Sequence, residues 1–135
     1  MTAPPVVAFT LPLPPSALLA NETLGRDWRA FVEAKQAYYQ SCFVDCQNAR
    51  LAFQKKGVGF PLKPLVTMVL VFVLPDMRRK DGDGLVSALK SGIDAMVKAG
   101  LLHDDSIWEL RGCYEGRLAA KGEKGCVEVR LEGGA

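Results

Sequence analysis

Residues Leu65 to Leu74, LVTMVLVFVL, form a nearly continuous apolar run closed by Pro64 and Pro75. The run is ten residues long. A membrane-spanning helix needs about 20. Its richness in valine and its proline borders read as a buried central strand. A chain built around such a strand needs a sheet beside it and helices to cover it.

The flanking segments supply both. Val6 to Leu13 reads as a strand stopped by Pro14-Pro15, and Ser16 to Leu24 as a loop. Asp27 to Lys55 reads as a long helix, with Trp28, Phe31, Ala34/Lys35, Tyr38/Tyr39, Cys42 and Cys46 recurring at helical spacing. Gly57, Gly59 and Pro61 break it. After the central strand, Asp76 to Lys80 is a polar loop. Gly84 to Ala99 is a helix with Leu85, Leu89, Ile93 and Met96/Val97 as its apolar stripe and Gly100 as its cap. Ser106 to Glu115 and Val127 to Leu131 read as two strands joined in a hairpin through Lys121-Gly-Glu-Lys-Gly125. The expected fold is α/β (α+β), a mixed sheet packed by helices in the order βαβαββ. With 135 residues, 49% of them hydrophobic, residues 1–135 suit a single domain with a real core.

Net charge is +2 and the pI is near 8.4, weaker than the footprint of a strongly basic nucleic-acid binder. Local patches carry more meaning than that sum. Met1 to Leu24 has no positively charged leader region, and prolines interrupt its apolar residues, so a cytoplasmic location with reduced thiols is expected. Cys42 and Cys46 are spaced as half of a zinc site or as two core residues on one helix face. Cys113 and Cys126 have no such spacing.

The chemistry concentrates in RRKDGDGLVSALKSGIDAMVKAGLLHDD. Asp81, Asp83, Asp104 and Asp105 offer the carboxylate oxygens that hard divalent cations prefer. Arg78, Arg79 and Lys80 precede them directly. Acid beside base suits a metal that works on a phosphodiester, with the cations holding the anionic backbone. A metal-dependent nuclease is the leading reading. At about 100° per residue, Asp83, Ser87, Lys90 and Asp94 fall on one polar face opposite the leucines. A plainer account stands beside this one. Asp81 and Asp83 are also what a helix start selects, Lys90 and Asp94 form an ordinary i,i+4 pair, and Asp104-Asp105 suit a polar turn. His103, the sole histidine, reads as a turn residue more readily than as a ligand or general base.

Taken together, these residues resemble the RusA family of Holliday-junction resolvases. That family's pattern is an acid, any residue, Asp-Asn, a helical lysine, an Asp, an Ala-Gly stretch and a final Asp-Asp. It is similar here to Asp81-Gly82-Asp83-Gly84, Lys90, Asp94, Ala99-Gly100 and Asp104-Asp105. TLPLPPS, LPDMRRKD and KGEKGCVEVRL resemble the family's first strand and turn, basic loop and closing strand, so the likeness covers nearly the whole chain. The resemblance implies that Asp81, Asp83 and Asp105 bind Mg²⁺, with Mn²⁺ able to substitute and Asp104 in or beside the cluster. It also implies that Lys90 is the catalytic lysine near the scissile phosphate. The implied protein is a homodimeric endodeoxyribonuclease of bacterial or phage origin that makes paired symmetric nicks across four-way DNA in recombination and repair. Arg78, Arg79, Lys80, Lys55 and Lys56 are the candidate DNA-binding cations. Lys121 and Lys124 read as solvated surface charge. No membrane partner is expected. Gly84 departs from the family's Asn and removes an amide that orients a carboxylate or a water. The spacing from Asp83 to Lys90 is the longer, phage-type form. The alternative is therefore a relative that binds branched DNA and cuts it weakly or not at all.

Overall fold

In Val66–Leu74, the run between the two prolines, burial alternates. Val66, Met68, Leu70 and Phe72 are buried, while Thr67, Val69 and Val71 are half-buried. This is the period of a strand covered on one face. The computed structural model describes residues 3–19, 28–77 and 82–134, with Asp83 described in its backbone only. The strands are β1 (Val6–Leu11), β2 (Val66–Leu74), β3 (Leu110–Leu118) and β4 (Cys126–Glu132). The helices are α1 (Trp28–Lys55), α2 (Gly82–Ala88) and α3 (Lys90–Lys98), with one 3-10 turn at Ser16–Leu18. The fold is a mixed α+β arrangement of one four-stranded sheet in the order β1-β4-β2-β3. β2 is interior, as expected, but among the described residues no helix covers its second face.

The expected hairpin is corrected. β3 runs parallel to β2, whereas β4 runs antiparallel to both β2 and β1. The two strands therefore lie on opposite sides of β2. Their connection crosses the end of that strand, where the Ala119 N–H donates to Leu74 C=O at 2.8 Å. A side chain at Gly125 would meet Val73 O at 3.1 Å, so the crossing backbone runs close to β2. Spanning one strand means covering two inter-strand gaps of about 4.8 Å each, within reach of the Ala119–Gly125 segment. β3 also begins later than expected. Residues 106–109 curl into a turn in which Ser106 C=O accepts from both Glu109 and Leu110 N–H. Ile107 and Trp108, apolar enough to suggest a strand, are left exposed.

The helices pack on one face. α1 buries Tyr38, Cys42, Cys46 and Ala49, a helical stripe. Trp28, counted in that stripe from its spacing, is 73% exposed and stacks on Phe31 at 5.2 Å. Tyr38 Oη donates to Pro12 C=O at 2.7 Å and ties α1 to the end of β1. Cys42 and Cys46 are fully buried. Burial pushes their thiols up to about 11 and about 12, so both are protonated at neutral pH. Both belong to the hydrophobic core, the second of the two readings that their spacing allowed.

The helix expected over Gly84 to Ala99 is two helices. Leu89 breaks it at φ −76°, ψ −8°, well off the helical ψ of about −42°. The stripe is still in phase, because Leu85, Leu89, Ile93 and Met96 are all buried. Gly100, at φ +84°, ends α3 in a conformation that L side chains rarely adopt. Arg50 Nη1 on α1 donates to Ala99 C=O at 3.0 Å. A cation at a helix C-terminus is favoured by the dipole and supplies one of its unpaired carbonyls with a donor. Arg50→Ala is expected to lower stability by about 1–2 kcal/mol in urea unfolding. A loss below about 0.5 kcal/mol would mean that water serves the carbonyl equally well.

Candidate active site

Lys90 is the first residue of α3, on the exposed side of a helix whose other side is core. Ser87, Lys90 and Asp94 share that exposed side, as the spacing predicts. Asp105 comes back to the same place. After Gly100 the chain doubles back, held by Leu62 N–H donating to Leu101 C=O at 2.9 Å and by the Leu62–Leu102 bridge. Lys90 Nζ donates to Asp105 Oδ2, although fifteen residues separate them, and pairs with Asp94 Oδ1 at 3.1 Å. Asp104 Oδ1 accepts the Asp105 N–H at 2.8 Å, which orders the acidic dipeptide.

The pair is electrostatically reinforced. The hydrogen bond to Asp105 holds the Lys90 ammonium above its ordinary pKa, helped by Asp94 and opposed by partial burial. The same bond holds the Asp105 carboxyl below its ordinary value. A general base needs a depressed lysine pKa, so Lys90 is suited to charge stabilisation.

Of the other expected site residues, Arg78, Arg79, Lys80 and Asp81 lie outside the described residues, as does the side chain of Asp83. The backbone of Asp83 and all of Gly84 fall in the first turn of α2. Among the described residues, no three His, Cys, Asp or Glu side chains form a group able to hold a metal. The described part of the donor set, Asp104 and Asp105, is carboxylate only. That chemistry fits a hard cation such as Mg²⁺ and would leave part of its shell to water. His103 is an exposed turn residue whose Nδ1 lies 2.8 Å from Glu109 Oε1.

The fold supplies two cations that spacing did not single out. Lys35 on α1 shares a shallow concavity with Phe31, Ser87 and Lys90. Lys98 shares the adjoining one with Tyr39, Asp94 and Asp105. Lys98 sits two turns along α3 from Lys90, a signal available in the sequence. Lys35 reaches the site only because α1 packs alongside α3. Lys55 and Lys56 lie at the far end of α1, about 30 Å along the helix from Lys35 at 1.5 Å per residue. Lys56 Nζ stands over the Phe53 ring at 4.7 Å. Neither belongs to the cluster around Lys90.

No helix among the described residues is long and apolar enough to cross a membrane. No protein-family model matches the chain, and a search of curated proteins finds no match.

Proposed function

We propose that the chain is a Mg²⁺-dependent, structure-selective endodeoxyribonuclease that acts as a homodimer and resolves four-way DNA by paired symmetric nicks. The observation that carries this reading is the contact of Lys90 with Asp105. It joins two parts of the motif that are distant in sequence into one exposed cluster. Asp81, Asp83 and Asp105, with Asp104 beside them, would hold the cation, which supplies Lewis acidity toward the scissile phosphate and the attacking water. Lys90 places a permanent positive charge where negative charge grows on the phosphate. Lys35 and Lys98 extend that positive surface to either side and contact backbone phosphates, which positions DNA without reading its sequence. Arg78, Arg79 and Lys80, next to the acids in sequence, add to this surface.

The reading is tested by incubating a labelled four-way junction and a linear duplex with the protein, with Mg²⁺ and with a chelator. Paired nicks at the junction that need the cation, with the duplex intact, are the expected result. Cutting that persists in chelator would remove the metal from the mechanism. Tight binding of the junction without nicks would favour the weakly cutting or non-cutting relative suggested by Gly84.

A further inference from the structure

β3 is the edge of the sheet, and no strand among the described residues lies beyond it. Which of its backbone groups face outward follows from its bonds to β2. Glu109 C=O accepts from Val66 N–H, and Ala119 N–H donates to Leu74 C=O, both at 2.8 Å. Odd-numbered residues therefore turn their backbone groups toward β2. The groups of Leu110, Gly112, Gly116 and Leu118 turn outward. On the face away from the helices, the strand carries Arg111, Cys113 and Glu115, all exposed. Neither Arg111 nor Glu115 makes an ion pair among the described residues.

We propose that β3 is a self-complementary interface on which a second copy of this chain docks, strand to strand and antiparallel, about a two-fold axis at Cys113. A symmetric dimer through one edge must pair antiparallel, because the same patch meets itself. Three two-fold registers keep most of the strand paired, those centred on Cys113, Tyr114 and Glu115. The Tyr114 register sets Arg111 opposite the partner's Arg117, twice, a cation already paired within its own chain to Glu123 at 2.7 Å and Glu128 at 3.4 Å, so Arg111 has no carboxylate directly across from it. The Glu115 register sets two copies of Glu115 face to face. Like charges directly opposite destabilise a sheet. The Cys113 register sets Arg111 opposite the partner's Glu115 and repeats that ion pair by symmetry. It also sets Leu110 opposite the partner's Gly116, both with outward backbone groups. Of the three, the Cys113 register alone sets opposite charges directly across from each other.

The arrangement doubles the sheet and keeps both helical layers on the same side, because the two-fold axis runs normal to it. A side chain at Gly82 would meet the Tyr114 ring at 2.7 Å, so the start of α2 lies against β3. The two acid-bearing helix starts then flank the seam, which suits paired cuts on one branched substrate. The interface gives a structure to the homodimer and rests on that reading for its purpose. Its test reads mass and cross-linking without DNA, so the two fail separately.

Light scattering is expected to report about twice the 14.7 kDa chain mass. Arg111→Glu and Glu115→Arg should each give folded monomers with an unchanged circular dichroism spectrum and a melting temperature that no longer depends on protein concentration, and the double variant Arg111→Glu/Glu115→Arg should restore the dimer. At a non-hydrogen-bonded position, opposed Cα atoms stand about 4.5 Å apart, within easy reach of thiol cross-linking. A short bis-maleimide should therefore produce a covalent dimer in the wild type and in Cys126→Ser, and none in Cys113→Ser. A monomeric wild type would show that the charges and glycines of β3 guard the edge rather than recruit a partner. A dimer indifferent to either reversal would place the interface elsewhere.

Discussion

Lys90→Ala is expected to slow single-turnover nicking of a four-way junction by roughly 10²–10³-fold, the worth of one electrostatic group at a developing charge. Its melting temperature should barely move. Lys90 is half-exposed and touches no core residue through its ammonium; its partners Asp94 and Asp105 are also solvent-accessible. Exposed ion pairs contribute about 0–1 kcal/mol. A cation at the first position of a helix is opposed by the dipole, which offsets part of even that. Melting and nicking measured on the same preparation separate the two roles. A large fall in melting temperature would make Lys90 structural, and a normal nicking rate would remove it from the mechanism.

Asp105→Asn is expected to cost at least roughly 10² in nicking rate while junction binding stays the same or tightens slightly. The amide is nearly isosteric, so the turn after α3 should survive. It no longer offers the cation an anionic ligand, and it leaves the Lys90 ammonium without its strongest partner. Removing a negative charge beside the phosphate path does not weaken the basic surface. Nicking at limiting Mg²⁺ and binding in chelator are the two measurements. Wild-type cutting at limiting Mg²⁺ would exclude Asp105 as a ligand.

The same pair has a defined pH behaviour. Asp105 has a lowered folded pKa, so its contribution to stability is present above the unfolded value of about 3.9 and drains away as pH falls through the folded one. Lys90 has a raised folded pKa, so its contribution is whole below about 10.4 and is lost as pH rises through the folded value. Between about pH 6 and 9 neither group changes charge. A slope in the nicking rate across that window therefore originates in other groups.

The amino-acid order was sufficient for the parts of this protein that depend on local period and local punctuation. Alternation and β-branching marked β2, a four-residue rhythm marked Tyr38, Cys42 and Cys46 in α1, and the leucine stripe marked which side of α2 and α3 faces the core. The polar side of those two helices, with Ser87, Lys90 and Asp94, followed from the same arithmetic. Period does not encode which strands become neighbours. β3 and β4 look like a hairpin because they are adjacent in sequence, yet each gains more by pairing with the apolar β2 than with the other. The coverage of β2 was equally invisible, since an apolar run reads the same whether one face or both are packed. The meeting of Lys90 with Asp105, and the arrival of Lys35 beside them, required the chain to turn back after Gly100 and α1 to lie against α3. Those contacts depend on how apolar faces are buried together, a property of the whole chain that no local spacing contains.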